Sequence, residues 1–225
     1  MISILIPIYN GIEFIEESVS SVLNQTFTDW EIIIGVNGHP ENSPVYQKAK
    51  EYEKRASSDK IRVIDFYTIK GKSNSLNEML NYCKYDYVAL LDVDDYWIPE
   101  KLKIQSTYLG VYDVIGTRCV YFGDMIGVVP AIPLGDISDL IFFRVNPIIN
   151  SSSVIRKTLC NWKSEFDGVE DYDLWLTLRK QCKKFYNCSE IMVKHRIHNT
   201  SAFNAQGNHL KVHDLLESHI RNWNK

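Results

Sequence analysis

The sequence predicts an α/β protein, a mainly parallel or mixed sheet flanked by helices within a single domain. Three observations point there. Short apolar runs alternate with amphipathic stretches through the first half of the chain, at the spacing of strand–helix–strand units. Polar or acidic residues follow the runs, as in Tyr9-Asn10, Asn37-Gly38 and Asp92–Asp95. Such sheets bind ligands outside the carboxyl ends of their strands. At 225 residues with 45% hydrophobic and 24% charged, the chain has apolar mass for a real core.

Ile2 to Ile8 reads as a buried strand, after which Asn10 is placed to cap a helix carrying Ile12, Ile15, Val19, Val22 and Leu23 at helical spacing. Trp30 to Val36 is the second strand. Ser43-Pro44 pairs a capping serine with proline at the first helical position and opens a charged helix to about Ser57. Ile61 to Phe66 is the third strand, and Gly71 to Cys83 a helix with Leu76, Met79, Leu80 and Cys83 on one face. Tyr87 to Leu91, the fourth strand, runs into the aspartates. Beyond it the pattern is less regular. Strands are expected near Tyr112–Tyr121, Ser153–Arg156 and Ile191–Ile197, with helices at Glu170 to about Cys182 and about Gly207 to Trp223. No linker or repeat divides the chain, so one domain, 1–225, is expected to hold two functional halves, about 1–110 and about 111–225.

A formal net charge of −3 argues against a general nucleic-acid binder, which needs a basic face to replace phosphate counterions. Five scattered cysteines without a Cys-x-x-Cys pair suggest neither a disulfide framework nor a zinc site, and fit reduced thiols in the cytoplasm. The opening residues lack the pattern of a signal peptide, and no apolar run approaches the ~18 residues of a transmembrane helix. A cytoplasmic location is therefore expected, with any membrane association peripheral, through acceptor or partner.

Asp92, Asp94 and Asp95 crowd three carboxylates into four residues at a strand's end. Like charges this close raise one another's pKa, and a hard divalent cation, Mn²⁺ or Mg²⁺, removes the penalty. Such ions take one or two protein carboxylates plus the oxygens of a substrate phosphate. The plain alternative is a solvated acidic turn before a helix start at Trp97-Ile98-Pro99. A phosphoryl-transfer aspartate of the haloacid-dehalogenase kind is disfavoured, because Tyr96 and Trp97 stand where that pattern expects other residues and the strand is not the first.

At these residues the chain resembles the family 2 glycosyltransferases. The resemblance is carried by Ser3 to Gly11, Ser21 to Phe27, Trp30 to Ile34, and Gly71-Lys72-Ser73 with Ser75-Leu76-Asn77. Leu91 to Asp95 with Trp97, Pro99, Glu100, Lys101, Leu102 and Gln105 follows, then Glu170 to Trp175 and Arg196-Ile197-His198. It extends from residue 2 to about residue 201 in order. It implies a GT-A fold, Rossmann-like, and an inverting transferase that takes its sugar from a nucleotide diphosphate, UDP favoured, for a hydroxyl of a glycan, lipid-linked or protein acceptor. One departure stands out. Where the family usually has two aspartates before Gly-Ser, this chain has Val36-Asn37-Gly38-His39. The second of those aspartates commonly pairs with the imide of uracil; Asn37 can donate and accept there but carries no charge.

The resemblance implies Asp94 as a metal ligand with His198 as a second, and Asp92 at the ribose or the metal's shell. Pro7, Tyr9, Asn37, Lys72, Asn77, Asp92 and Arg196 are expected to line the nucleotide-sugar site. Lys72, at a helix start, can meet phosphate or remain solvated. For the catalytic base Asp171 is favoured over Glu170, because a helix from Glu170 puts Asp171 on a face with Leu174, Trp175 and Leu178. The competing account is that Glu170, Asp171 and Asp173 simply favour the positive end of the helix dipole. Strand alternation near Ile197 puts Lys194, Arg196 and His198 on one face, a basic stripe opposite an apolar one, and leaves His195 as a satisfied core histidine. Asn150 to Ser153 either lines the acceptor pocket or is a loop. His209 and His213 have zinc-like spacing without a third ligand, and read as a solvated face. Two other classes remain: a sugar-nucleotide-binding module without turnover, and a sugar-1-phosphate nucleotidyltransferase, whose glycine- and arginine-rich first loop is missing from Tyr9 to Glu13.

Overall fold

A computed structural model describes residues 1–56, 59–199 and 207–223. Ser57, the expected end of the charged helix, and residues 200–201, where the resemblance ends, lie outside the described residues. Nine strands are present among the described residues: β1 (Ile2–Ile8), β2 (Trp30–Asn37), β3 (Ile61–Phe66), β4 (Tyr87–Leu90), β5 (Tyr96–Trp97), β6 (Val114–Gly123), β7 (Gly135–Asp136), β8 (Val154–Arg156) and β9 (Phe185–Ile197). The helices are α1 (Ile15–Leu23), α2 (Pro44–Lys50), α3 (Lys72–Met79), α4 (Lys101–Ser106), α5 (Glu170–Lys180) and α6 (Asn208–Asn222).

All the strands join one mixed sheet in the order β3-β2-β1-β4-β8-β6-β9-β5, with β7 against β9. β3, β2, β1 and β4 are parallel, as the alternation of apolar runs and helices predicts. β8 then enters antiparallel between β4 and β6, so the second half extends the same sheet. Ile2, Ile4, Ile6 and Ile8 of β1 point into one apolar layer with Val19, Ala49 and Leu102 of α1, α2 and α4. Leu5 points into the opposite layer with Leu76, Met79, Trp162, Trp175 and Leu215, beneath α3, α5 and α6. Burial of each such aliphatic side chain contributes about 1.5–3 kcal/mol, which is why the strand alternation fixes which face each helix covers.

Several expectations need correction. Asn10 is exposed and caps nothing; Gly11, with φ of 84°, starts a 3₁₀ turn at Ile12–Phe14, and α1 begins only at Ile15. That left-handed turn is open to glycine and strained for most other residues. Ser43 does cap its helix, accepting from the Tyr46 amide at 3.2 Å, but the α-helix ends at Lys50 and tightens into a 3₁₀ turn at Glu51–Arg55. Tyr96–Trp97 is a short strand on β9 and not a helix start. β9 begins at Phe185, six residues before the predicted Ile191. Its register against β6 shifts between Gly116 and Arg118, and exposed Ser189 and Glu190 break the alternation there. β6 lies at Val114–Gly123, two residues on from the expected span, and α5 stops at Lys180.

A buried polar joint ties α4 to the second half. Gln105 is fully buried, donates from Nε2 to the Ile115 and Ser152 carbonyls at 2.8 Å each, and accepts from Lys101 Nζ at 2.8 Å. The Lys101 ammonium lies 3.9 Å from the centroid of the Trp97 ring, and burial holds its pKa well below the usual lysine value. Gln105→Leu strips these buried groups of partners while nearly preserving volume. It is expected to cost about 2–4 kcal/mol in chemical denaturation at unchanged m-value.

Candidate active site

The carboxyl ends of β1, β2 and β4 bring their following residues to one rim of the sheet. Half-buried Pro7 stands near the end of β1 in register with Gly35 of β2. Beyond it Tyr9 is 57% exposed, and its ring covers Gly38, where a Cβ would lie 2.7 Å from the Tyr9 ring. The His39 ring packs 5.5 Å from Tyr9, and its Nε2 lies 2.5 Å from the Tyr9 carbonyl oxygen. Asn37, 3% exposed at the end of β2, extends Nδ2 toward the Gly71 carbonyl at 3.5 Å. Tyr9, Asn37 and the turn before α3 thus form one corner.

β4 runs directly into the aspartates, whose turn closes with the Asp95 amide donating to the Asp92 carbonyl at 3.0 Å. Each carboxylate has a different environment. Asp92 Oδ1 accepts from Lys72 Nζ at 2.6 Å, and its Oδ2 accepts from Asn150 Nδ2 at 2.9 Å and Ser151 Oγ at 3.3 Å. Burial alone would raise its pKa, but the Lys72 charge and the hydrogen bonds from Lys72 and Asn150 overcome that and lower it. Asp94 Oδ2 lies 2.9 Å from His198 Nε2. Burial, then the charges of Asp95 and Asp92, raise the Asp94 pKa against the His198 contact. Asp95 is fully buried and turns away from the rim. It holds His195 Nδ1 at 2.9 Å and accepts from the Arg196 amide at 2.8 Å. The one aspartate whose role the sequence leaves open thus gives His195 a polar partner.

Lys72 connects this rim to α5. Its Nζ also lies 3.4 Å from Glu170 Oε1, so one ammonium bridges carboxylates 78 positions apart in sequence, Asp92 and Glu170. Burial opposes its charge, but Asp92 and Glu170 prevail and raise the Lys72 pKa. Glu170 is 4% exposed, and its Oε2 accepts from the Gly168 amide at 2.6 Å. Asp171 is the half-buried member of the pair, accepting from Asn146 Nδ2 at 2.9 Å. Asp171 shares its helical face with buried Leu174, Trp175 and Leu178, and the more deeply buried acids of α5 are Glu170 and Asp173. Burial first, then the Glu170 charge, push its carboxyl up to about 6, against Asn146 and Lys72.

Two expected ligand contacts are taken by the protein itself. Asn77 donates from Nδ2 to the Trp162 carbonyl at 2.6 Å and accepts from the Trp162 amide at 3.0 Å, which engages both ends of its amide. Arg196 is sandwiched between Phe14 and Phe122, 4.3 Å from each ring centroid. Its Nε donates to the Asp94 carbonyl at 2.9 Å and its NH2 pairs with Glu17 at 2.8 Å, so it braces the aspartate turn. His209 and His213 are exposed on α6, where His213 meets Asp214 and Glu217 of its own helix. Sequence reasoning missed Asn146 and Asp167 altogether, and it also missed the His219–Asp173 contact of 2.7 Å that docks α6 on α5. Asn146 and Asp167 lie in segments with no periodicity to mark them, and helical spacing along α5 and α6 does not tell which residues of the two helices meet. Asn150 and Ser151 were visible only as a polar run.

An acidic strand end bridged by Lys72 to a second carboxylate pair, on a mixed, helix-covered sheet, is an arrangement that fits a glycosyltransferase of the GT-A type. The sequence model of Glycosyl transferase family 2 matches residues 3–159, and the chain belongs to that family. The match stops short of Glu170 and Asp171. A curated relative, the UDP-Glc:alpha-D-GlcNAc-diphosphoundecaprenol beta-1,3-glucosyltransferase WfgD of Escherichia coli, is 28% identical over 240 residues, covering 99% of this chain and 87% of its own length. The crystal structure of S. aureus TarS 1–349 with UDP-GlcNAc superposes with a TM-score of 0.76 at 18% identity, covering 98% of this chain. This chain spans 66% of that TarS chain's length. The mannosyltransferase PcManGT of Pyrobaculum calidifontis, in complex with GDP-Man and Mn²⁺, gives 0.74 at 12% identity, covering 98% of this chain and 64% of its own. These two likenesses establish the fold.

Burial alone would lower the His195 imidazole, but the charge and hydrogen bond of Asp95, with Asp92 and Asp94 behind, raise it to about 9. A histidine pKa raised on folding stabilises the protein fully below its unfolded value near 6.5, and that stability is lost as pH rises through the folded value. Thermal unfolding without added divalent ion is expected to show a loss of about 1–3 kcal/mol between roughly pH 6.5 and 9 that His195→Gln removes.

Proposed function

We propose that the chain is an inverting glycosyltransferase that moves a sugar from a nucleotide diphosphate, with UDP favoured, onto an acceptor hydroxyl. The observation that supports this reading is the Asp92–Lys72–Glu170 bridge, which joins the strand-end aspartates to the Glu170-Asp171 pair. The nucleotide half is residues about 1–110 and the acceptor half about 111–225 of a single domain, both contributing strands to the shared sheet. WfgD by its name uses UDP-Glc, and TarS binds UDP-GlcNAc, which supports a UDP-linked donor here. Tyr9 and Asn37 supply a ring and an amide at the corner where the base is placed.

The residues fit a divalent ion, Mn²⁺ or Mg²⁺, as the Mn²⁺ complex of PcManGT also suggests. Asp94 and His198 offer a carboxylate and an imidazole 2.9 Å apart, and the raised Asp94 pKa marks a charge that Lys72, committed to Asp92, does not neutralise. Asp94 and His198 would hold such an ion together with phosphate oxygens of the donor, since ions of this kind take one or two protein ligands plus substrate oxygens. Such an ion acts as a Lewis acid that stabilises the leaving diphosphate. Lys72 adds a fixed ammonium beside Asp92, and Asn150 and Ser151 hold Asp92 in place.

Asp171 serves as the base. In an inverting displacement the acceptor hydroxyl's proton passes to Asp171 as its oxygen bonds to the anomeric carbon. The carbon–oxygen bond to the diphosphate breaks, and that electron pair leaves with the nucleotide. A carboxyl raised to about 6 is basic enough for this and still ionised at neutral pH. Glu170, by contrast, is buried and committed to Lys72 and the Gly168 amide, which makes it an orienting group. No helix among the described residues is long and apolar enough to cross a membrane. The proposed place of action is the cytoplasm, with any membrane contact through a lipid-linked acceptor or partner.

Calorimetry with UDP and Mn²⁺ and transfer assays test the division of labour. Asp94→Ala is expected to lower metal-dependent UDP affinity at least tenfold, a loss of about 1.4 kcal/mol or more. Asp171→Asn is expected to keep that affinity and to reduce transfer by about 10³-fold or more; full turnover in that variant removes Asp171 as base. The pH profile provides a separate check. A base must be deprotonated, so kcat/KM is expected to rise with pH through about 6 and then level off, whereas an acid limb at pH 4 means that another group is titrating.

A further inference from the structure

We propose that Asp167 is a positioning residue for transfer: its carboxylate clamps the first turn of α3, so that Lys72 stays fixed between Asp92 and Glu170. Asp167 Oδ1 accepts from the Ser73 amide at 3.0 Å and from the Ser73 hydroxyl, and that hydroxyl also lies 3.2 Å from the Lys163 carbonyl. Ser73 is fully buried and directly follows Lys72. Gly71, on the other side of Lys72, has φ of 86°, and a Cβ there would run into Asp167 Oδ2. The carboxylate therefore packs against the backbone on both sides of the lysine. Lys211 of α6 donates to the Asp167 carbonyl at 2.7 Å, bracing the clamp from behind. One residue on, the Gly168 amide holds Glu170 Oε2 at 2.6 Å, so the same short loop fixes both Lys72 and one of its two partners.

The clamp has a chemical consequence at the pocket, on the reading that Asp92 faces the nucleotide and Asp171 is the base. Helix N-termini attract anions through their free amides and dipole. In α3 the Ser73 amide is already occupied by the protein's own carboxylate. A donor phosphate is then met by the Lys72 side chain, which makes the position of that ammonium critical. The charged groups facing Asp171 are Glu170 from its own helix and Lys72 from α3, with Asn146 donating a hydrogen bond. A Lys72 that drifts leaves Asp171 beside Glu170 with less compensation.

The test uses the full chain, with UDP plus Mn²⁺ as the calorimetric probe and the Asp171 carboxyl titration followed by ¹³C NMR, assigned against Asp171→Asn. Asp167→Ala is expected to weaken UDP–Mn²⁺ binding roughly tenfold, the scale of a lost hydrogen bond to a charged group, and to move the Asp171 titration to higher pH. Asp167→Asn keeps an acceptor for the Ser73 amide and is expected to recover most of both. Ser73→Ala deletes only the hydroxyl, so it reads the same clamp if Asp167→Ala does not fold, with a smaller shift in the same direction. An unchanged UDP affinity or an unmoved Asp171 titration in a folded variant overturns the proposal, as does Asp167→Asn behaving like Asp167→Ala. Neither readout requires turnover. If Asp171→Asn remains fully active the base assignment fails, while the clamp on Lys72 is still judged by UDP affinity alone.

Discussion

The candidate site depends on one ammonium. Lys72 Nζ sits 2.6 Å from Asp92 and 3.4 Å from Glu170, joining the end of a parallel strand to the start of a helix almost eighty positions later. Without it, Asp92 and Glu170 would carry unpaired charge in a partly desolvated space, which costs several kcal/mol. An ion pair of this kind adds little net stability, because desolvation takes back most of the Coulomb gain. Its value lies in geometry: a long, flexible side chain is held in one place by charges of opposite origin. The same arrangement gives the neighbouring acids their separate characters. Asp92 is lowered by its partner, Asp94 is raised by burial and its acidic neighbours despite His198, and Asp171 is raised mainly by burial.

Much of this was legible in the sequence, for identifiable physical reasons. The parallel core was readable because a strand buried on both faces must be mostly apolar, as Ile2–Ile8 and Trp30–Val36 are, their polar exceptions Ser3 and Glu31 being hydrogen-bonded to each other. The strand-end aspartates were readable because three acids in four residues contradict the apolar run they terminate. Glu170 and Asp171 were found as a pair, but the deeper burial of Glu170 was not foreseen. Helical spacing gives neighbours along one helix and says nothing of what lies opposite; Lys72 and Gly168 are what draw Glu170 inward. Arg196 and Asn77 show the same limit. A polar side chain on a plausible face reads as available for ligand until the fold supplies a partner from far away, here Glu17 and the Trp162 backbone. Asn146, Asp167 and Asn150 lie in irregular segments, where no periodicity constrains what a side chain will meet.

The sheet itself has a practical consequence for building hybrid enzymes. β8, from the second half, pairs with β4 of the first and with β6, so the seam between the halves is a run of backbone hydrogen bonds within one sheet. Exchanging everything after residue 110 or so with a relative would transplant β8 along with its side-chain alternation. A graft that is off by one position against Tyr87–Ala89 would turn Val154 and Ile155 to the wrong layers and shift Asn150 and Ser151 away from Asp92. A chimera that keeps residues 150–156 with the first half, and exchanges only segments on either side of them, leaves that seam native. On the proposed division of the chain, acceptor preference is then a trait to be moved loop by loop, and not as a cassette.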